Sequence, residues 1–243
     1  MWLKTTTNYS PNFSFPKRSK IQIKFIIIHY TGMKKESSAI RRLCNSKYKV
    51  SAHYFIKKNG ETLNMVPDLY EAWHAGKSSW KQFKSLNKYS IGIEVHNPGH
   101  THNYTSFPTK QINSLKKLLK ILMKNYKINY KNVLGHSDIA PERKKDPGEK
   151  FPWKILARSK LADWHGLGET QINKLRLVKI DLNDKKNFMN NLKKIGYKKT
   201  KKSSFDFEDK FIIKAFQRRF RQKLINGIID KECLTISKNL VKI

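Results

Sequence analysis

Four residues of the 243-residue chain combine chemical capacity with placement at the ends of elements: His29, Glu94, His136 and Asp146. His29 closes the run Lys24-Phe25-Ile26-Ile27-Ile28, continuously apolar and β-branched as in a strand buried on both faces. His136 follows Asn132-Val133-Leu134-Gly135, which reads as a short strand, and Asp146 lies in the loop that Pro141, Pro147, Gly148 and Pro152 make irregular. Two imidazoles and a carboxylate are suitable donors for a zinc ion. They stand far apart in sequence with no HExxH-type pattern, so spacing alone does not define a metal site, and a strand-end histidine also serves as a hydrogen-bonded structural residue. Glu94 sits near the end of Ser90-Ile91-Gly92-Ile93-Glu94-Val95, a costly place for a carboxylate unless it is paired, hydrogen-bonded or beside a solvated cleft. A salt bridge would meet that condition.

The elements that must position these groups alternate strand and helix, which implies an α/β sheet domain. Ser37 or Ser38 can cap a short helix carrying Ile40, Leu43 and Cys44, and residues 52–57 and 61–66 flank Asn59-Gly60 as a β-hairpin. Thr109 can cap a helix with Ile112, Leu115, Leu119, Leu122 and Tyr126 on one stripe. After Trp164-His165-Gly166-Leu167-Gly168 the segments turn short and helical. Asp184 can cap a helix bearing Phe188, Leu192 and Ile195 with Gly196 as its stop. A second helix repeats Ile212, Phe216 and Phe220, and Asp230 can cap a third after the Asn226-Gly227 turn. The chain therefore divides into a sheet domain over residues 1–165, a linker over 166–179 and a small three-helix domain over 180–243.

Fifty-one Lys and Arg against 18 Asp and Glu leave a formal charge of +33. That balance attracts anions such as nucleic acid, anionic lipid or an acidic polymer, yet the charge is mostly lysine scattered through every segment, with no nucleic-acid motif. A specific nucleic-acid site is therefore not expected. Cys44 and Cys233 lack any CxxC or Cys/His spacing and read as buried free thiols. No run reaches membrane-spanning length, and the first 20 residues contain no signal-like apolar stretch. A cytoplasmic protein is the expectation, with the periplasm or envelope, reached by another route, as the alternative.

Several blocks resemble those of the zinc-dependent N-acetylmuramoyl-L-alanine amidases of the phage-lysozyme and peptidoglycan-recognition-protein superfamily. They are Ile28-His29-Tyr30-Thr31, Val50-Ser51-Ala52-His53-Tyr54, Ala72-Trp73-His74-Ala75-Gly76, Ser90-Ile91-Gly92-Ile93-Glu94, Gly135-His136-Ser137-Asp138-Ile139-Ala140-Pro141 and Arg143-Lys144-Lys145-Asp146-Pro147-Gly148. They occur in family order and cover nearly all of residues 21–155. The resemblance implies a mixed central sheet flanked by helices, with one Zn2+ held by His29, His136 and Asp146 and a fourth position left for water. It further implies Glu94 as general base and Lys144 as the cation that stabilises the tetrahedral oxyanion. Trp73 and His74 match a block that lines the substrate groove in relatives, and a purely structural loop role is the other reading. His53, between Ala52 and Tyr54 of a strand, reads as a satisfied interior histidine supporting the site. His96, His100, His102 and His165 match no motif and read as surface residues.

The C-terminal segment resembles a helical peptidoglycan-binding module through Leu192-Lys193-Lys194-Ile195-Gly196-Tyr197, Ala215-Phe216-Gln217-Arg218-Arg219-Phe220 and Asn226-Gly227-Ile228-Ile229-Asp230. Cys233 and the lysine-rich loop at Lys198 to Lys202 depart from its usual pattern. The implied reaction is hydrolysis of the amide between N-acetylmuramic acid, or its 1,6-anhydro form, and L-alanine, with peptidoglycan or soluble muropeptides as partner. A non-catalytic recognition protein on the same fold is the rival, and the presence of all three implied ligands weighs against it. A glycosidase would need two positioned carboxylates, and Glu94 alone is persuasive. Oligomeric state is not legible in the sequence.

Overall fold

The computed structural model describes residues 5–198 and 207–242. The strands in chain order are β1 (Thr5–Thr7), β2 (Phe13–Ser14), β3 (Phe25–Tyr30), β4 (Tyr54–Ile56), β5 (Thr62–Asn64), β6 (Glu71–Ala72), β7 (Ser79–Trp80), β8 (Phe83–Lys84), β9 (Ser90–Val95) and β10 (Val133–Gly135). The helices are α1 (Glu36–Cys44), α2 (Thr109–Tyr126), α3 (His136–Ile139), α4 (Trp153–Arg158), α5 (Glu169–Asn173), α6 (Leu182–Ile195), α7 (Phe207–Phe220) and α8 (Lys231–Lys242). Six strands form one sheet in the order β1-β5-β4-β9-β3-β10. β4 and β5 pair antiparallel as the hairpin, while the other neighbours run parallel, so the sheet is mixed. β2 with β6 and β7 with β8 form two small antiparallel ribbons.

The alternation of side chains along a strand sorts β3 onto both faces of the sheet. Ile26 and Ile28 join Ile112, Leu115, Leu119 and Leu122 of α2 in one core. Phe25 and Ile27 point the other way, into a core with Phe188 and Leu192 of α6, Phe216 of α7 and Ile236 of α8. The C-terminal helices thus cover one face of the sheet and share its core, and the linker region contributes α5, which buries Ile172 in the same cluster. Most of the lysine-rich loop at Lys198 to Lys202 lies outside the described residues.

Helix starts differ from the sequence reading by one to three residues, each for a local reason. α1 begins at Glu36 with Lys35 as its cap, so Ser37 and Ser38 lie inside it and the Glu36 carboxylate occupies the first turn, where the helix dipole favours it. Pro108 precedes α2, making Thr109 its first residue. Asp181 rather than Asp184 caps α6, its side chain accepting from the Asp184 amide at 2.7 Å. Asp230 does precede α8, and its Oδ1 accepts from the Cys233 amide at 2.9 Å. Cys233 is buried, but Cys44 is only half-buried. His96 and His165 are buried instead of exposed: His96 stacks on Phe55 and His165 on Trp164.

A buried ion pair joins α7 to α3, the short helix that begins at His136. Asp138 Oδ2 accepts from Arg219 Nη1 at 2.6 Å and from the Gly135 amide at 2.8 Å, while Oδ1 accepts from the Tyr197 hydroxyl at 2.7 Å. Arg219 also donates to the Val133 carbonyl at 3.0 Å and lies over the Trp153 ring. Removing one partner of such a pair leaves a buried charge without compensation, so Arg219→Leu should lower unfolding stability by about 3–5 kcal/mol. Urea denaturation checks this; an unchanged midpoint would mean that the pair does not clamp the helices to the sheet.

Candidate active site

Register brings the site together. In the parallel pair β3–β9, His29 is the partner of Glu94, and in β3–β10 Ile28 is the partner of Gly135, so His136 emerges one step beyond at the level of His29. Partners in register face the same side of a sheet. Three adjacent strands therefore present His29, Glu94 and His136 together at their C-terminal ends, where open parallel sheets bind ligands. Asp146 reaches the same point from the proline-rich loop, which the Ser137 amide ties back through a 2.8 Å bond to the Asp146 carbonyl.

The three donor atoms converge. His29 Nδ1 is 2.9 Å from His136 Nδ1, and Asp146 Oδ2 is 3.0 Å from each, all three residues being buried. A tetrahedral zinc set with bonds of roughly 2.0–2.1 Å has donor–donor edges of about 3.3–3.4 Å, so this triangle needs to open by only a few tenths of an ångström to hold the ion.

Outer hydrogen bonds leave both Nδ1 atoms with lone pairs. His136 Nε2 lies 3.1 Å from the Ala75 carbonyl, which can only accept, so the proton sits on Nε2. For His29 a relay decides. Ser90 donates to the Leu86 carbonyl at 2.6 Å, so its oxygen accepts from His74 Nε2 at 3.2 Å. His74 Nδ1 is then an acceptor and takes the His29 Nε2 proton at 3.0 Å. Such partners orient ligating imidazoles.

His74 occupies that position because Gly92 has no side chain: a Cβ there would collide with its imidazole. Its ring borders the cleft, but its hydrogen bonds make it a support for His29. Trp73 is half-buried, donates from its indole to Ser14 Oγ at 2.8 Å and lies outside the lining of this cleft. His53 is fully buried below: Nδ1 accepts from the Gly92 amide and Nε2 donates to the Tyr70 carbonyl, both at 3.0 Å.

Glu94 and Lys144 line the same cleft of about 480 Å3. Glu94 Oε2 is buried with no hydrogen-bond partner among the described residues. Burial, then the charge of Asp146, push its carboxyl up to about 8, opposed by Lys144. Burial also raises Asp146, but the charge and hydrogen bonds of His136 and His29 outweigh it and hold this carboxylate well below its usual range. Burial and the neighbouring His136 lower His29 to about 4. His100, read as a surface residue, borders the cleft and bridges the Tyr30 hydroxyl at 2.9 Å and Glu149 at 3.1 Å. No sequence signal marks it, because its two partners come from distant segments, about 50 and 70 residues away.

The N-acetylmuramoyl-L-alanine amidase family profile matches residues 19–149. The N-acetylmuramoyl-L-alanine amidase AmiD of Escherichia coli (strain K12) is 34% identical over 233 residues, covering 91% of this chain and 83% of its own. Its structure in complex with the substrate anhydro-N-acetylmuramic acid-L-Ala-D-gamma-Glu-L-Lys superposes with a TM-score of 0.79 at 33% identity, over 91% of this chain and 89% of that one. AmpDh3 of Pseudomonas aeruginosa gives a TM-score of 0.78 at 29% identity, over 91% and 92% of the two chains. The chain belongs to the N-acetylmuramoyl-L-alanine amidase family.

Two outcomes follow from the geometry. Gly92→Ala should displace His74, loosen His29 and weaken zinc binding by about 10–100-fold, measured by competition with a chromophoric chelator; unchanged affinity would disconnect His74 from the metal site. His29 and His53 are lowered from 6.5 to about 4 and about 3, both chiefly by burial. Depressed folded-state values mean that the unfolded chain binds more protons below 6.5, so stability present above that pH is lost as pH falls toward 4. The two histidines should cost the metal-free protein on the order of a few kcal/mol across this window, since each tenfold drop in a group's proton affinity on folding corresponds to about 1.4 kcal/mol, while Glu94, raised to about 8, acts with the opposite sign and offsets part of the loss. Thermal melts at stepped pH measure it, and a flat Tm between pH 6.5 and 4 would contradict it.

Proposed function

We propose that this chain is a zinc-dependent N-acetylmuramoyl-L-alanine amidase, cleaving the amide between N-acetylmuramic acid, including its anhydro form, and the L-alanine of the stem peptide. The observation that carries the reading is the convergence of three buried donor atoms, within 4.8 Å of one another, beside a carboxylate oxygen that no group among the described residues satisfies. His29, His136 and Asp146 would hold the ion, which supplies Lewis acidity toward the carbonyl and toward water. Glu94 takes the proton of the attacking water and delivers it to the leaving nitrogen. Lys144, on the rim, opposes the negative charge that develops on the carbonyl oxygen. His74 and the Ala75 carbonyl keep the two imidazoles in the tautomers that face the ion. A recognition protein that binds without cleaving needs neither the three donors nor the unsatisfied carboxylate.

Mass spectrometry of products from muropeptides and intact peptidoglycan, with chelator and zinc add-back, tests the reading. Zinc-restorable release of stem peptides is the expected result. Glu94→Ala should keep its metal and lose about 10²–10⁴-fold in turnover, the usual span for a general acid–base group. His136→Ala should lose metal and activity together. Full turnover by Glu94→Ala would falsify the assignment, and zinc-loaded wild-type protein that binds the substrates without cleaving them would favour recognition.

A further inference from the structure

The outer hydrogen bonds that orient His29 and His136 both trace back to one short turn. Leu86–Tyr89 form a single helical turn that runs directly into β9. At its end, Ser90 Oγ accepts from His74 Nε2, and His74 accepts in turn from His29. Within it, Asn87 Oδ1 accepts from the His74 amide at 3.1 Å and from the Ala75 amide at 2.7 Å. Ala75 is the residue whose carbonyl takes the His136 Nε2 proton. A single side-chain oxygen thus holds the main chain of both residues on which the imidazoles lean, although the two histidines are 107 residues apart.

The turn is itself braced by Arg18. This residue is 7% exposed, and its Nη1 donates to the Asn87 and Ser90 carbonyls, both at 2.8 Å, while Nη2 donates to the Asp68 carbonyl at 2.6 Å. Burial pulls the guanidinium down to about 10 against the opposing charges of Glu71 and Asp68. Such a buried charge is tolerated only where its hydrogen bonds are well made, and here two of them fall on the two ends of one turn. Asn87 and Ser90 are thereby fixed relative to each other. The strand that follows carries Gly92, beneath His74, and Glu94, the register partner of His29.

Resting on the reading of His29 and His136 as metal ligands, we propose that Asn87, clamped by Arg18, is a positioning residue for the metal: one amide oxygen fixes the partners of both rings and so sets the spacing of the two Nδ1 atoms. The Asn87 side chain lies outside the lining of the cleft and acts through His74 and Ala75. Without it those two residues can shift independently, and the two donors lose their common reference. Asn87→Asp keeps an acceptor for both amides, whereas Asn87→Ala removes it.

Zinc competition with a chromophoric chelator, on the full chain, tests the proposal. Asn87→Ala should weaken zinc binding by about 10–100-fold, the usual loss when partners behind ligating imidazoles are removed, and Asn87→Asp should restore most of it. Imidazole nitrogen NMR of the metal-free protein supplies a readout that lost stability alone would not move. Wild type and Asn87→Asp should hold both ligand rings as single Nε2–H tautomers, and Asn87→Ala should turn both into tautomer mixtures. Should Asn87→Ala fold poorly, hydrogen exchange in wild type decides, because zinc loading should slow exchange of the His74 and Ala75 amides together. Unchanged affinity and tautomers in Asn87→Ala, a loss that Asn87→Asp does not restore, or amides indifferent to zinc would each overturn the positioning role. None of these readings needs turnover: zinc held by these groups without amide cleavage by wild type would sink the amidase reading alone, and cleavage with zinc affinity indifferent to Asn87 would sink the positioning role alone.

Discussion

The structure is organised around holding three electron-pair donors about 3 Å apart, an arrangement that repels itself until a cation or proton lies between them. Free side chains would relax by rotating a ring or by protonating. Here both escapes are restricted. Burial holds His29 near 4, so protonation near neutrality is unfavourable, and each imidazole is pinned through its far nitrogen. The pinning groups are themselves fixed: His74 rests on Gly92 and is held by Ser90, and Ala75 offers its carbonyl to both His136 and Arg143.

The same constraint explains why the C-terminal helices are built into the sheet's core. His136 begins the four-residue helix α3, too short to be stable by itself. Asp138, two positions on, receives hydrogen bonds from Arg219 and Tyr197 of the C-terminal region and from Gly135 of its own strand. Gly196, which stops α6 at φ 141°, packs so closely on Trp80 that a Cβ would clash with the indole, and this close approach sets Tyr197 against Asp138. A ligand position near the sheet thus depends on helices more than 40 residues later, and the shared apolar core makes that dependence rigid.

Much of this was legible in the sequence where the cause is local. The apolar run ending at His29, the Asn59-Gly60 hairpin, the stripe of α2 and the Gly196 stop each express a periodicity or a backbone requirement carried by neighbouring residues. The caps of α1 and α6 were not, because Ser37, Ser38 and Asp184 can cap equally well in isolation, and the choice falls to Lys35 and Asp181. The three convergent donors lay beyond spacing altogether. His29 is 107 residues from His136 and 117 from Asp146, and it was family resemblance that joined them. His74 resembles a groove residue in sequence because its support of His29 depends on the space above Gly92, a tertiary fact. His100 carried no sequence signal, since what distinguishes it is which partners it has.

Charge shows most clearly how global composition and local chemistry part company. A formal +33 spread over the surface draws anionic material toward the protein but carries little positional information. At the site, individual neighbours decide. Glu94 lies between Asp146, which disfavours its ionisation, and Lys144, which favours it, within a pocket whose desolvation acts in the same direction as Asp146. A divalent cation held by His29, His136 and Asp146 would reverse that balance, since positive charge beside a carboxyl favours the ionised form. On the proposed amidase reading, filling the donor triad would therefore shift Glu94 toward its ionised, proton-accepting form, so that the acid–base group and the electrophilic centre would be made ready by the same binding event.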